Sequence, residues 1–221
     1  NNSNRYVLEG FATYQAGSDE GSSLNVVGGG SVEYNTGEST FLRGEGFSTP
    51  ALQYVGSATS IVTYGGVPNP EHNLESFFAR ANYSWKNRYL VSASLRADGD
   101  SRFGPNNRWA KFPAISAGWL LSDESFMGNF KDKFGALKLR GSYGETGNNN
   151  IPSFRYLSTF TNSPYGDLPG IAPNAIGNPN FKWEDTKEWD GGLDWTPFNG
   201  RISLIADYYH KKTSDLIVDR P

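Results

Sequence analysis

The 221-residue chain carries a formal net charge of −3 and has a sequence pI near 5.5, which argues against a nucleic-acid binder, because such a protein would present a basic face. It contains no cysteine, which leaves out disulfides and thiolate metal sites. The sequence has no run of 18 apolar residues and so predicts no transmembrane helix. A transmembrane β-barrel is still compatible with the sequence, because each of its strands needs only about 9–11 residues. The chain begins at Asn1 without a signal-peptide pattern, and we expect it to be a processed or excised piece.

Alternation of apolar and polar side chains predicts seven strands, because successive residues of a strand point to opposite faces. In chain order they are Arg5–Tyr14, Ser76–Trp85, Tyr89–Asp98, Ala114–Leu121, Leu137–Gly144, Trp189–Thr196 and Ile202–Tyr209. The glycine-rich residues 15–73 are predicted to form one long loop, with short strands of its own at Leu24–Val27 and Ile61–Tyr64. The composition, with 26 glycines and 14% aromatic residues, agrees with an all-β chain rich in turns.

The connections between these strands are predicted to alternate between long and short. Lys86-Asn87 is expected to be a tight turn, and Asn199-Gly200 is the strongest signal for a two-residue type I′ turn. Ser122 is a candidate N-cap for one short helical turn. Antiparallel up-and-down strands with long loops at one end and short ones at the other are typical of transmembrane β-barrels.

Aromatic residues support this interpretation, because several of them flank the short connections. These are Trp85, Tyr89, Trp119, Trp195 and Phe198. At one membrane interface they would form an aromatic girdle. The alternative is a soluble β-sandwich with aromatic residues near one edge of its core.

Four sequence blocks resemble the SusC/RagA-type TonB-dependent outer-membrane transporters. LRADGDSRFGPNNRWAKFPAISAGW (95–119) resembles their LRxDGSSRFG and NRWGxFPSxSxGW patterns, and LKLRGSYGETGN (137–148) resembles LKLRxSYGxTGN. NPNFKWEDTKEWDGGLDW (178–195) and NGRISLIADYYHKKTSDLI (199–217) resemble the two blocks that follow in the family. The blocks stand in the family's order, with small departures such as Asp100 in place of Ser.

This resemblance implies a larger protein: a barrel of 22 strands around an N-terminal plug, with a TonB box. We expect residues 1–221 to be one part of that barrel domain, without the plug or the TonB box. The resemblance further implies the outer membrane of a Bacteroidota-type bacterium, a SusD-like lipoprotein lid, TonB, and an oligosaccharide or oligopeptide as cargo. No cofactor is implied.

Polar residues that alternate with the apolar ones are candidates to face the barrel lumen or the plug. The strongest are Arg80, Asn82, Ser94, Arg96, Asp98, Arg140 and Asp194. Arg96 and Arg140 are the preferred candidates for docking the plug. In the long loops, Arg102, Arg108, Tyr156 and Tyr165 are candidates for contact with substrate or lid, together with other loop aromatics such as Tyr64 and Phe154.

Catalytic chemistry finds little support in the sequence. His72 and His210 lack paired-ligand spacing, and no nucleophile, zinc or phosphate-loop motif occurs. The run Asp98–Ser101 resembles the start of a calcium loop only slightly, and we expect a solvated turn there. A soluble β-sandwich that binds glycans, such as an adhesin, is the alternative function; a glycosidase using a carboxylate pair is a third.

Overall fold

The structure is a computed structural model that describes residues 2–18, 21–51, 54–151, 153, 155–166 and 168–217, with the backbone alone at 63–70 and 199. Ten strands and two short helices are present in these ranges. They are β1 (Asn2–Ser18), β2 (Ser22–Phe47), β3 (Ala58–Trp85), β4 (Tyr89–Asp100), β5 (Trp109–Leu120), α1 (Phe130–Phe134), β6 (Ala136–Asn148), β7 (Thr159–Asn162), β8 (Ile171–Ala175), β9 (Glu184–Thr196), α2 (Pro197–Gly200) and β10 (Leu204–Ser214). None of the helices in these ranges has the length and apolar character needed to cross a membrane.

Eight strands form one antiparallel sheet in the order β1-β2-β3-β4-β5-β6-β9-β10. Sequence neighbours pair throughout, except that β6 pairs with β9 because the hairpin β7–β8 lies in the connection between them. The up-and-down, all-β architecture predicted from the sequence is therefore confirmed, with eight strands in the sheet in place of about seven. The sheet is a barrel wall that does not close within this chain.

The long loop predicted for residues 15–73 is wrong. β2 pairs with β1 from Asn2↔Glu38 to Ser18↔Ser22, and β3 begins at Ala58. A long loop after Tyr14 would place the C-terminal end of β1 with the other long loops. In the structure β1 instead ends at the tight connection to β2, so it runs in the opposite direction. The glycines that suggested a loop lie under aromatic side chains of the flanking strands: a Cβ on Gly29 would meet Phe11 at 2.7 Å, and one on Gly30 would meet Phe77 at 3.1 Å. Neighbouring strands thus stabilise a glycine-rich strand.

The short connections differ in how well the sequence predicted them. Lys86 and Asn87 both have positive φ, 52° and 54°, as a type I′ hairpin requires, so the tight turn is confirmed. The prediction of a two-residue type I′ turn at Asn199-Gly200 is wrong. The positive φ values fall on Phe198 and Gly200, and the chain forms α2 before β10 starts. A short helical turn follows β5 as expected, but Ser122 lies within a 3₁₀ turn and caps no helix.

The two faces of the sheet are inverted relative to a soluble protein. Along β4 the apolar Val91, Ala93 and Leu95 are exposed, while Ser92 and Ser94 between them are half-buried. The same alternation continues in β5, where Ile115 is 55% exposed. We call these the apolar face and the polar face. A sheet that exposes its apolar side chains in this way has no core on that face and needs an apolar medium there.

Two rows of aromatic rings border the apolar face. Trp85, Tyr89 and Trp119 stack at the ends of β3, β4 and β5, with ring centroids 5.2 Å and 6.4 Å apart. The second row contains Phe77 and Trp109, whose centroids are 5.9 Å apart, and the pair Tyr6–Tyr34. Trp109 and Trp119 are ten residues apart on β5. At about 3.3 Å per residue and a tilt of about 40°, the rows are about 25 Å apart, the height of the apolar band of an outer-membrane barrel.

The sheet has two distinct ends. The connections β2–β3, β4–β5 and β6–β9 lie at one, the loop end, and the connections β3–β4, β5–β6 and β9–β10 at the other, the turn end. The buried hydrophobic core in the described residues is small and lies at the loop end. Phe103, Ile151 and Trp183 form it, and the partly buried Leu74, Ala110, Phe112, Phe181 and Ile217 pack against them. We call this the loop core.

Candidate functional site: the polar face and the loop core

The polar face carries a groove of about 420 Å³ whose lining is largely hydroxyl, amide and charged groups. A neighbouring groove of about 410 Å³ contains Arg80 and Ser94. Asn82 accepts hydrogen bonds from Arg80 Nε at 3.2 Å and from Ser92 Oγ at 2.9 Å. Arg80, Asn82 and Ser94, predicted from alternation alone, are thus on one face, in β3 and β4.

Arg140 is the centre of the largest charged cluster on the polar face. Its guanidinium donates to Asp194 at 3.1 Å, to Asp190 at 3.3 Å and to Asp207, which lie on β9 and β10. One positive charge meets three carboxylates, so the cluster carries a net charge of −2. A planar guanidinium suits this role because it can donate in several directions at once. The cluster ties three adjacent strands together and presents acidic oxygens to the interior.

Removing this cation tests the cluster. We expect Arg140→Gln to lower the temperature at which the folded barrel unfolds, because three carboxylates then lie together without a counter-charge. Migration on unheated against heated gels, followed over a temperature series in the full-length protein, measures this shift. Arg80→Gln is the matched control, since Arg80 lies on the same face and donates to the uncharged side chain of Asn82; equal shifts in both variants would contradict the role of the cluster.

Arg96 lies apart from Arg140, toward the loop end. Its Nε donates to both carboxylate oxygens of Asp98 at 2.8 Å, and its Nη2 donates to Ser76 Oγ at 2.9 Å. Arg96 is level with Phe112 on β5, whereas Arg140 is level with Gly118. The two arginines therefore belong to separate clusters of the same face.

The turn expected to be solvated at Asp98–Ser101 is in fact buried, so that expectation is wrong. Asp98 is 8% exposed and Asp100 is fully buried, and both belong to β4. Asp100 accepts hydrogen bonds from Arg102 Nε at 3.0 Å, from Arg102 Nη2 at 2.6 Å and from Asn149 Nδ2 at 3.0 Å. Among the described residues no group of three or more His, Cys, Asp or Glu side chains is arranged so that it could hold a metal ion.

This buried ion pair connects the loop core to the wall. Arg102 also reaches the carbonyl of Ile151 at 3.5 Å, and its side chain is 15% exposed. Trp183 Nε1 donates to the carbonyl of Arg108 at 2.9 Å. A Cβ on Gly104 would meet the Pro179 carbonyl oxygen at 2.3 Å, so the two loops touch through backbone there. Two of the four sequence blocks, 95–119 and 178–195, thus meet at this contact.

The remaining loop candidates are at the surface of the loop end. Arg108 is exposed and lines a small pocket, Tyr156 is half-buried, and Tyr165 is 87% exposed. Phe154 lies outside the described residues, as does the side chain of Tyr64. The role of Asp100 was not predicted from the sequence; the available signal was an acid and a base, Asp100 and Arg102, two residues apart inside the block that most resembles the family.

Comparisons with known proteins agree on one family. The model of the family described as "TonB dependent receptor-like, beta-barrel" matches residues 1–221. TonB-dependent receptor P26 of Formosa agariphila is 33% identical over 217 residues, which are 96% of this chain and 22% of that protein. TonB-dependent receptor SusC of Bacteroides thetaiotaomicron is 41% identical over 155 residues, which are 66% of this chain and 15% of that protein.

Solved structures give the same result. A structure of the RagAB peptide transporter superimposes with a TM-score of 0.83 at 26% identity, covering 99% of this chain and 24% of that one. The RagAB peptide importer in its "open-open" state gives the same values. This chain thus spans roughly a sixth to a quarter of the proteins that it matches. Because the family model covers the whole chain and the blocks, sheet and neighbours agree, the chain belongs to the TonB-dependent receptor-like β-barrel family, of SusC/RagA type.

Proposed function

We propose that this chain is a section of the barrel wall of an outer-membrane importer that takes up oligosaccharides or oligopeptides in a TonB-dependent manner. The inverted sheet is the single observation that carries the proposal, because apolar residues face outward between two aromatic rows while polar residues face inward. Lipid on one side and water or a plug on the other match these two faces. A soluble β-sandwich would bury Val91, Leu95 and Ile115, which are 43–55% exposed here.

The chain's part in import is to provide a rigid, polar wall. Groups such as Arg80, Asn82 and Ser94 offer hydrogen bonds to water, to cargo or to a plug inside the barrel. The Arg140 cluster would bind cationic groups of the plug through its surplus carboxylate oxygens, while the Arg140 guanidinium itself is occupied by the three aspartates. We propose that residues 1–221 are one part of the barrel domain and that the plug and TonB box belong to other parts of the protein.

The loop end would meet the partner and the cargo. RagAB is named as a peptide transporter, which supports an oligopeptide cargo, and SusC is named as a TonB-dependent receptor. We therefore propose a SusD-like lipoprotein lid above the loop end. The hairpin β7–β8 and its flanks expose apolar side chains suited to such a contact. They are Phe160, Tyr165, Leu168, Ile171 and Ile176, each at least 61% exposed.

Uptake measurements test this proposal. A strain lacking the full-length gene and a strain lacking TonB should both lose uptake of fluorescent oligosaccharides or oligopeptides, and a plasmid copy of the gene should restore uptake only in the first. Uptake that persists in the TonB-deficient strain, or a deletion that changes the uptake of neither cargo class, would overturn the proposal.

The two loop arginines should affect uptake by different routes. We expect Arg108→Ala to raise the substrate concentration for half-maximal uptake without reducing the amount of folded protein, because Arg108 is exposed and contacts Trp183 of the loop core through its backbone carbonyl, which alanine keeps. Arg102→Ala should instead reduce the order of the loop, because its guanidinium is bound to Asp100. Uptake kinetics with surface quantification separate these effects; an unchanged half-saturation for Arg108→Ala would remove the contact role of Arg108.

A further inference from the structure

Residues 121–135, the connection between β5 and β6, lie against the outside of the sheet, and we call them the strap. Glu124 of the strap accepts hydrogen bonds from Tyr89 Oη at 2.5 Å and from Trp119 Nε1 at 2.9 Å. Tyr89 and Trp119 belong to the apolar face and to the aromatic row at the turn end. The strap therefore leaves the end of β5 and folds back over the outward-facing rim.

Contacts further along the strap repeat this placement. Trp195 Nε1 of β9 donates to the carbonyl of Phe134 at 2.7 Å. Trp195 is the pairing partner of Leu137 on β6, and both lie on the apolar face. The ring of Phe126 lies 6.3 Å from that of Trp119. The strap thus connects the outer rims of β4, β5 and β9, at the level of the aromatic row.

The strap itself exposes apolar rings beside basic side chains. Phe126 is 69% and Phe134 is 52% exposed, and Lys131 and Lys133 lie on the same segment. Lys131 forms an ion pair with Asp123 at 2.7 Å while remaining half-exposed. Phenylalanine rings with neighbouring lysines are characteristic of segments at the boundary between acyl chains and headgroups, because rings enter the apolar layer while the ammonium groups stay in water.

An apolar groove of about 420 Å³ lies on the wall beside the strap, because two of the residues that line it, Tyr89 and Trp119, are those that bind Glu124. Tyr89, Val91, Trp119 and Leu139 line it, and the small residues Ala117 and Gly141 leave its floor open. The groove runs away from the rim where Glu124 is bound and into the apolar band. Its apolar lining suits an acyl chain that approaches from a headgroup layer at the strap.

The carboxylate of Glu124 fixes the strap in place. Arg88 Nη1 lies 3.3 Å from it, in addition to the two hydrogen bonds from the aromatic row. The hydrogen bonds that Tyr89 and Trp119 donate lower the pKa of Glu124 below its ordinary value, and the bond from Tyr89 has the larger effect. Glu124 is therefore ionised at neutral pH, and its contact with the rim should weaken only when acidification through that lowered pKa protonates the carboxylate.

From this geometry we infer that the strap is a lipid-binding segment that inserts Phe126 and Phe134 at the headgroup–acyl boundary of the leaflet at the turn end, with a phospholipid acyl chain in the adjoining groove. The inference rests on the proposed membrane function and names a partner surface for it. The occupant is a phospholipid, since the exposed rings are continuous with the membrane-facing band.

Spin-label accessibility tests the inference in the full-length protein reconstituted in phosphatidylethanolamine–phosphatidylglycerol vesicles. This chain has no cysteine, so the variants Phe126→Cys and Phe134→Cys place one nitroxide each in it. Ala93→Cys marks the centre of the apolar face, and Thr161→Cys marks an exposed position of β7. We expect oxygen-to-nickel accessibility ratios at 126 and 134 between those of the two reference labels.

The two reference labels distinguish failure of the lipid-binding inference from failure of the proposed membrane function. If 126 and 134 match Thr161→Cys while Ala93→Cys reports lipid, the inference is overturned and the barrel function stands. If Ala93→Cys also reports water, the proposed membrane function fails and the inference fails with it. Gel migration before and after heating verifies that each labelled barrel is folded, and Ser125→Cys, an exposed strap position, replaces either phenylalanine variant that does not fold.

Discussion

Replacing Asp100 with alanine should weaken the attachment of the loop core to the wall by about 3–5 kcal/mol, the usual result of removing one partner of a buried ion pair. Asp100 is fully buried, and Arg102, 15% exposed, would lose its carboxylate and be left as an uncompensated charge. Asn149 would lose its acceptor as well. The loss should be local, since the loop core lies at one end of the sheet.

Hydrogen exchange followed by mass spectrometry on the full-length protein measures this effect. We expect faster exchange in the β4–β5 and β6–β9 connections and unchanged exchange in β4 and β5. Asp100→Asn should give an intermediate result, because an amide keeps one acceptor oxygen. Glu45→Ala is the matched control: the Arg43–Glu45 pair has a similar distance of 3.0 Å but is exposed, so its removal costs about 0–1 kcal/mol. Equal exchange in Asp100→Ala and Glu45→Ala would contradict the role of the buried pair.

Truncating Phe103 should have an effect of similar size, about 3–5 kcal/mol, as expected for phenylalanine replaced by alanine in a core. Phe103 is fully buried, and its ring centroid lies 4.6 Å from that of Trp183 and 6.1 Å from that of Phe181. Because the loop core has only three buried hydrophobic residues, the cavity would remove a large share of the contacts that hold the two connections together.

Protease sensitivity of the β6–β9 connection reports this change in intact cells or vesicles. We expect Phe103→Ala to be cleaved there at protease concentrations that leave the unaltered protein intact. Phe160→Ala removes the same atoms from a ring that is 61% exposed, and it should be cleaved like the unaltered protein. If both variants were cleaved alike, packing in the loop core would not be what protects the β6–β9 connection from protease.

Alternation in the sequence was sufficient to predict β4 and the second half of β5, because apolar side chains lie on one face of these segments and small or polar side chains on the other. The first five residues of β5, 109–113, were missed. Val91, Ala93 and Leu95 against Ser92 and Ser94 give a clear period of two. The polar-face candidates followed from the same pattern. The family blocks were the second strong signal, and they correspond to the residues that build the loop core.

β2 could not be found in the same way. Its glycine-rich centre has low intrinsic strand propensity and little side-chain pattern. What makes it a strand is pairing on both sides, with Phe11 and Phe77 covering Gly29 and Gly30. Contacts between residues distant in sequence are invisible to a local pattern.

The burial of Asp98 and Asp100 could not be predicted from the sequence for a related reason. Asp98 and Asp100, with a glycine between them, read as a solvated turn until Arg96, Arg102 and Asn149 are seen to satisfy their carboxylates. The strap shows the same limit: no local pattern in the sequence indicates that Glu124 accepts hydrogen bonds from two aromatic residues of the sheet.

A cysteine scan along β4 tests the central claim most directly, namely that the two faces of this sheet meet two different media. Single cysteines at 92, 93, 94 and 95 in the full-length transporter, embedded in its membrane, are treated with a water-soluble maleimide. The account predicts labelling at Ser92 and Ser94, which face the polar interior, and protection at Ala93 and Leu95, which face lipid. Uniform labelling of all four positions, or labelling of 93 and 95 alone, would contradict it.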